Sequence, residues 1–199
     1  MNRFLLSGLF LALGGAVQAQ SISAPHSDWQ GVYLGAMLDG YANTEFNFGA
    51  FPDLDGTIEG HQFGGFIGYR HQFGDFVIGG EFDVTTGGTT TTLSLPNMTF
   101  EDAIGTRTQF LRLGVEAGYS IGRFLPYGTA GVASLTFEDT ANGDNRGLGH
   151  FYGFGVDVQT GEYVSVGFEV LRHEFDDFDL IDDFSLETTT YGLNVAVRY

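Results

Sequence analysis

Apolar residues alternate with small or polar residues along most of the chain, and this pattern constrains the fold more than any other feature. Near the end of the chain, apolar side chains share one parity at Tyr191, Leu193, Val195, Val197 and Tyr199. Successive strand residues point to opposite faces, so a period of two predicts a β-strand with one apolar face. Seven segments show this pattern, and an eighth near 125–135 is rich in small residues with unassigned faces. The chain is therefore predicted to form eight strands.

The face opposite the apolar one is crowded with glycine and holds isolated charges. Two bulky residues interrupt this arrangement, Phe66 and Val77. Glycines with a few ionic side chains suit the narrow interior of a small closed barrel better than the wet face of a soluble sheet. The apolar face would then contact lipid, and closure would pair every backbone group.

The connections between the predicted strands alternate between long and short. The long ones are 43–60, 85–106, 138–147 and 175–187, and the short ones are 71–75, 122–123 and 160–161. This order is typical of outer-membrane barrels, which have long external loops and short periplasmic turns. The strands of a soluble β-sandwich also alternate apolar and polar residues, but its long and short loops are not expected to alternate in this order.

The first residues differ from the rest of the chain. Arg3 precedes an apolar run over 4–15, and small residues follow at Val17-Gln18-Ala19. The run is shorter than the roughly 20 residues of a transmembrane helix, so it resembles a cleaved export signal. The predicted organisation is a signal peptide over 1–19, a periplasmic leader over 20–27 and a barrel over 28–199.

Charge and composition exclude several classes of protein. Lysine is absent and all eight basic residues are arginine, against 25 acidic residues and a formal net charge of −17. Such an acidic chain repels phosphate backbones, so nucleic-acid binding is not expected. Because there is no cysteine, disulfide scaffolds, thiolate metal sites and cysteine nucleophiles are also excluded.

Several short motifs resemble those of a known family. The segment Asp28-Trp29-Gln30-Gly31-Val32-Tyr33-Leu34-Gly35 resembles the first strand of OmpA-like small outer-membrane barrels of the porin-opacity type. Gly155-Val156-Asp157 and Val166-Gly167-Phe168-Glu169 are similar to the sixth and seventh strands of that family. The resemblance implies an all-β, eight-stranded antiparallel transmembrane barrel in the cell outer membrane, with no periplasmic domain after Tyr199. It also implies that the last strand, with Val195, Val197 and Tyr199, is the signal for the barrel assembly machinery.

The predicted interior carries more acids than bases. Its charged residues are Asp39, Glu81, Asp83, Glu116, Asp157, Glu169, Arg70, Arg112 and Arg198. An unpaired charge in a narrow lumen is costly, so an ionic network that plugs the lumen is expected. Counting residues along the hairpin formed by the two strands that flank the connection 85–106 places Arg112 across from Glu81 and Asp83. All three residues have the inward parity, and we predict that Arg112 pairs with one of the two acids.

Other polar residues give weaker signals. The histidines are His26, His61, His71, His150 and His173, and they are predicted to be rim or turn residues because they lack metal-ligand spacing. The candidate set for a lipid-modifying enzyme is His173, Glu174 and Ser185, which matches no nucleophile motif. The last external loop carries Asp176, Asp177, Asp179, Asp182 and Asp183. This acidic loop lacks the glycine and ligand spacing of an EF-hand, so no dedicated calcium site is assigned.

The sequence thus predicts a non-enzymatic outer-membrane barrel that acts in envelope integrity and surface interaction, without cofactor or metal. The expected partners are outer-membrane lipid and lipopolysaccharide, the barrel assembly machinery, and a host or envelope ligand at the external loops. Two alternatives remain open: a narrow channel for ions or small solutes, and an enzyme that modifies lipid A.

Overall fold

The fold is a long-stranded antiparallel β-structure. The computed structural model describes residues 28–48, 55–95, 98–100, 106–138, 145–178 and 184–199. Within these ranges no helix is long and apolar enough to cross a membrane. The strands are β1 (Gly31–Phe48), β2 (Asp55–Phe73), β3 (Phe76–Leu95), β4 (Met98–Phe100), β5 (Thr106–Tyr119), β6 (Phe124–Glu138), β7 (Asn145–Gln159), β8 (Val164–Phe178) and β9 (Phe184–Arg198).

Eight of these strands close into a barrel. The sheet runs β2-β1-β9-β8-β7-β6-β5-β3, and β2 also pairs with β3, so these eight strands form a closed ring. β4 is a short strand that pairs with the end of β3. A row of paired residues that starts at Ile78 returns to the same strand at Gly88, ten residues further along. This stagger tilts the strands and sets a narrow interior that side chains can fill.

The two ends of the barrel differ. We call the end with the connections at 74–75, 120–123 and 160–163 the turn end, and the opposite one the loop end. The predicted long connections were too long, because β1 extends to Phe48 and β3 to Leu95. In the threonine run 89–92 of β3 the residues of both faces are polar, so alternation gives no signal there although threonine favours strands.

The outward face of every barrel strand carries exposed apolar residues near the turn end. They include Leu34, Leu38, Phe63, Ile67, Phe76, Ile78, Phe82, Leu113, Val115, Phe124, Val132, Phe154, Val166, Phe168, Leu193 and Val195. The faces that alternation predicts for the seven assigned strands are those of the structure. In β6, which alternation left unassigned, Leu125, Tyr127, Ala133 and Leu135 are buried inside the barrel.

The glycines of the inner face leave room for aromatic rings from other positions. A Cβ at Gly68 would meet the ring and hydroxyl of Tyr33, and a Cβ at Gly114 would come within 2.7 Å of the Phe151 ring. Phe66 and Val77, which interrupt the pattern in the sequence, are inward residues that fill the same interior. Part of the interior is therefore packed by pairing large rings with glycine on a nearby strand.

This packing gives a testable prediction at Gly68. Alanine at this position should destabilise the barrel by about 1–3 kcal/mol, because the Tyr33 ring is buried and cannot move aside without losing its contacts. The matched control is Gly40→Ala, since a Cβ at Gly40 meets nothing within 4 Å. Urea unfolding midpoints in lipid vesicles would measure both variants, and equal midpoints would contradict the proposed packing.

Candidate functional site: the barrel lumen

A first ionic cluster lies in the lumen near the turn end. Arg70 is three residues from the end of β2, and its Nε and Nη2 donate to the two carboxylate oxygens of Glu116 at 2.5 and 2.9 Å. Its Nη1 donates to Asp157 at 2.7 Å, and the Tyr33 hydroxyl also donates to Glu116, at 3.2 Å. These residues come from β1, β2, β5 and β7. We call them the Arg70 cluster, which ties together four strands across the lumen.

Aromatic rings surround the Arg70 guanidinium. Its central carbon lies 4.6 Å from the ring centroid of Tyr33, 5.5 Å from that of Tyr127 and 5.7 Å from that of Trp29. Both the charge and the flat faces of a guanidinium are thereby used, through forked hydrogen bonds in its plane and ring contacts around it. A lysine could not replace it in both roles.

A second ionic cluster lies further toward the loop end, around Arg112, which is seven residues from the end of β5. Its Nε donates to Asp83 at 2.7 Å and its Nη2 donates to Asp39 at 3.2 Å. The same Nη2 lies 3.1 Å from the sulfur of Met37, and Nη1 lies 3.5 Å from Nε2 of His173. We call these five residues the Arg112 cluster. Of the two predicted partners of Arg112, the structure brings Asp83 into contact.

The other predicted lumen acids, Glu81 and Glu169, lie between the two clusters. Among the described residues no arginine is within ion-pair distance of either carboxylate. Glu169 accepts a hydrogen bond from the Tyr127 hydroxyl at 3.0 Å. Glu81 interacts electrostatically with the three acids Glu169, Glu116 and Asp83 and with Arg70. The network predicted from the sequence is thus divided into two clusters with two acids between them.

Apolar side chains fill the lumen on the loop-end side of the Arg112 cluster. We call this set the loop-end apolar cluster: Phe110, Ala133, Leu135, Phe151, Leu171, Phe175 and Leu186. His173 contacts it, with its ring 5.2 Å from that of Phe110 and 5.9 Å from that of Phe151. His173 is fully buried, so its prediction as a rim or turn residue was wrong. In the sequence, consecutive apolar residues such as Phe110-Leu111 indicate a strand that is apolar on both faces. Alternation alone does not detect such an apolar interior.

Residues ahead of β1 close the turn end. Trp29 is 2% exposed and packs with Val77, Leu125 and Tyr127. Its backbone N–H donates to the side chain of Gln72 at 2.7 Å. The preceding residue is also held, because the Gln159 side chain donates to the carbonyl of Asp28 at 2.9 Å. The lumen is therefore covered at this end by Trp29, whose role alternation does not predict because it precedes the first strand.

The structure separates the candidate enzyme residues. His173 points into the lumen, whereas Glu174 points outward and contacts His150 at 3.2 Å and the Tyr152 hydroxyl at 3.0 Å. Ser185 is half-buried on β9. Neighbouring strand residues face opposite sides, so His173 and Glu174 cannot act on one substrate. In the described ranges no three histidine, aspartate or glutamate residues are grouped in a way that could hold a metal ion.

Two other predicted sets lie outside the lumen. Tyr199 is exposed at the turn end, its N–H donates to the carbonyl of Val32 at 2.8 Å, and Val195 and Val197 point outward on the same strand. In the acidic loop, the backbone of Asp176 and Asp177 belongs to β8, while 179–183 lie outside the described residues. Arg198 lies at the turn end, where its guanidinium is 3.8 Å from Asp28.

Comparison with known proteins identifies the family. The model of a family described as outer membrane protein beta-barrel domain matches residues 7–199. The chain belongs to this family. The protein is accordingly an outer-membrane barrel, whose turn end faces the periplasm, whose loop end faces outward, and whose exposed apolar face contacts lipid. No curated protein sequence matches the chain.

Several solved structures are similar to this outer-membrane barrel, and one of them shows the same fold. OprG from Pseudomonas aeruginosa is 12% identical, with a TM-score of 0.54 over 85% of this chain and 96% of that chain. Neisserial surface protein A is also 12% identical, with a TM-score of 0.49 over 84% and 97%. Ail, the attachment invasion locus protein of Yersinia pestis, in complex with a heparin analogue, is 17% identical, with a TM-score of 0.49 over 85% and 97%. At these identities the likeness to OprG concerns the fold alone.

Proposed function

We propose that this protein is a non-enzymatic barrel that supports the integrity of the outer membrane and presents a surface for interaction, with a lumen closed to solutes. The observation that carries this proposal is the packing of the lumen along the described strands. Arg112 is 3% exposed, Phe175 is 0% exposed and Trp29 closes the turn end. Apolar layers thus lie on both sides of the two ionic clusters, which shields the ion pairs from water.

Conductance in planar lipid bilayers tests closure of the lumen. The refolded protein should give no discrete current steps at neutral pH, and proteoliposomes that contain it should not swell in small sugars. A large porin inserted in the same way serves as the positive control. Regular current steps from the unmodified barrel would overturn the closed-lumen part of the proposal.

A narrow cation pathway is the second candidate function. Glu81 and Glu169 support it, because they lie in the lumen without a described arginine partner and would attract cations. If the lumen conducts, replacing both by glutamine should lower the preference for cations over anions. A closed lumen instead predicts no current from either form.

An enzyme that modifies lipid A lacks comparable support. Its best residues, His173 and Glu174, lie on opposite sides of the barrel wall. Comparing the lipid A of a deletion strain with that of its parent tests this alternative directly. A missing modification in the deletion strain, restored by the intact gene, would contradict the non-enzymatic assignment.

The strand β9 and the adjoining Tyr199 carry a prediction about assembly. Tyr199 closes the barrel against Val32 and is 76% exposed at the periplasmic boundary, where aromatic side chains anchor barrels. Deleting Tyr199 should lower the amount of folded protein in the outer membrane severalfold, because the assembly machinery is expected to read this strand. The control is deletion of Asp182 from the acidic loop. Equal levels of both variants, measured by heat-modifiable gel mobility, would contradict this role.

A further inference from the structure

A cavity opens at the turn end of the barrel, and we call it the mouth cavity. Its empty volume is about 300 Å³, counted out to its open side. Two members of the Arg70 cluster, Tyr33 and Arg70, line it, and so do Glu162 and Tyr163 of the exposed turn before β8. All of its lining residues belong to the described ranges. The mouth cavity therefore lies between the Arg70 cluster and the periplasm.

The first free hydrogen-bond donor at the mouth cavity is the indole N–H of Trp29. This side chain is buried and lines the cavity. Among the described residues Nε1 has no hydrogen-bond partner. The side chains of Val77 and Leu125, which pack against the indole, offer no acceptor. Because a buried N–H without an acceptor is costly, an acceptor that enters the cavity would be stabilised at this position.

The second free donor is Nη1 of Arg198, the last residue of β9. The other terminal nitrogen, Nη2, donates to the backbone carbonyl of Glu162 at 3.1 Å and so holds the guanidinium in place. Nη1 is buried and makes no hydrogen bond within the described part of the chain. The Asp28 carboxylate lies 3.8 Å from it, beyond hydrogen-bonding distance, and is mostly exposed to water. The charge of Arg198 therefore lacks a close counter-ion.

The charges around the mouth cavity favour an anion in it. Arg70 is already paired with Glu116 and Asp157, so Arg198 is the cation available to a ligand. Among the lining residues the one acid is Glu162, which is exposed at the rim, where water and salt screen it. A negatively charged group in the cavity would gain a charge-assisted hydrogen bond from Arg198.

The number of free donors selects the kind of anion. Two N–H groups from two different side chains match the two oxygens of a carboxylate, one donor for each oxygen. A phosphate would bring further oxygens, and the two donors would not compensate these for the water they lose. A neutral amide has a single oxygen and would lose the charge-assisted bond. A carboxylate therefore fits the site better than either group.

We propose that the mouth cavity binds a carboxylate group that reaches the barrel from the periplasm. One carboxylate oxygen accepts from the indole N–H of Trp29, and the other accepts from Nη1 of Arg198. A small free solute and the end of a peptide both present this group. The site lies at the opposite end of the barrel from the external surface proposed above, so it adds a periplasmic binding function to that role.

The indole N–H signal in nuclear magnetic resonance spectra tests the proposal, because Trp29 is the single tryptophan of the chain. The refolded, isotopically labelled protein in detergent micelles should show one indole cross-peak. Sodium acetate should move its proton shift downfield in a saturable titration, with a Kd of about 1–10 mM, because the N–H gains an acceptor.

Two probes serve as controls for the acetate titration. Sodium chloride at the same ionic strength is the reference, and acetamide, which has a similar shape without the charge, should leave the peak in place. If water alone satisfies the two donors, acetate will cause no saturable shift, and this result would overturn the proposal. An equal response to acetamide would overturn it as well.

Variants of Arg198 test the second donor, with folding checked by heat-modifiable mobility. Arg198→Gln should weaken acetate binding about tenfold or more, because the charge-assisted hydrogen bond is lost. Arg198→Lys should recover part of the affinity, since it keeps the charge. The matched control is Arg123→Gln, because Arg123 is exposed at the same end and donates to the carbonyl of Gln159 without lining the cavity. An unchanged affinity in Arg198→Gln, or an equal loss in Arg123→Gln, would contradict the assigned role of Arg198.

Two further titrations identify the ligand more closely. Inorganic phosphate should bind more weakly than acetate, and tighter binding of phosphate would overturn the choice of a carboxylate. Diglycine carries its carboxylate at the end of a peptide. Tighter binding of diglycine than of acetate supports a peptide end as the source of the group, whereas weaker binding supports a small free solute.

Discussion

Replacing Arg112 by alanine should lower the free energy of unfolding by about 3–5 kcal/mol, because two buried carboxylates would lose their shared cation. Asp83 and Asp39 both accept hydrogen bonds from this guanidinium, which is 3% exposed. Arg112→Lys should recover part of the loss, since an ammonium keeps the charge without the forked geometry. Urea unfolding midpoints in lipid vesicles would measure all three proteins.

A matched control for Arg112 is available on the outer wall. Arg172 is paired with Glu187, but both side chains are partly exposed, so Arg172→Ala should cost about 0–1 kcal/mol. If water enters the lumen of the Arg112 variant, its stability loss will be smaller and a cation leak will appear in bilayers. An Arg112→Ala barrel that is as stable as the Arg172 variant and remains closed would refute a role for Arg112 in closure.

Replacing Phe151 by alanine should have a similarly large effect, about 3–5 kcal/mol, and should open a cavity beneath the loop end. The Phe151 ring lies over Gly114 and Gly131, and neither glycine can fill the space left by its removal. A hole in the loop-end apolar cluster would expose the Arg112 cluster to water. We therefore expect intermittent current steps from this variant in planar bilayers.

Phe154 provides the control for this change because it lies on the same strand but points into lipid. It is 64% exposed, whereas Phe151 is 4% exposed. Phe154→Ala removes the same atoms without reaching the lumen, so its conductance should remain that of the unmodified barrel. Current from both variants would indicate general loosening of the wall rather than loss of a lumen plug.

The parts of the fold that the sequence predicts are those with contrasting faces. Alternation over residues such as Leu193 to Val197 reflects lipid on one side and the lumen on the other, so it predicts strand number and closure. It fails where both faces are polar, as in the threonine run 89–92, which belongs to β3 although the predicted connection 85–106 includes it. It fails again where both faces are apolar, as at Phe151-Tyr152.

The lumen contacts also fall into two groups. Contacts between neighbouring strands are predictable from the sequence, whereas contacts across the lumen are not. Asp83 and Arg112 are register partners on neighbouring strands, so hairpin counting was sufficient to bring them together. Asp39 and Met37 reach Arg112 from β1, across the lumen, and that contact depends on the ten-residue stagger with which the sheet closes. No local pattern encodes this stagger, because it is a property of eight pairings at once. Trp29 was missed for a related reason, since it precedes the first strand and has no alternating partner.

The position of Trp29 also makes its fluorescence a probe of the turn end of the barrel. It is the single tryptophan of the chain, and its indole is buried at the turn end, 5.7 Å from the Arg70 guanidinium. Its fluorescence maximum therefore reports the environment of the periplasmic mouth, independently of strand content measured by circular dichroism. In a refolding time course, a delay between the circular dichroism signal and the blue shift of the emission would measure how long the mouth stays open after the strands have formed.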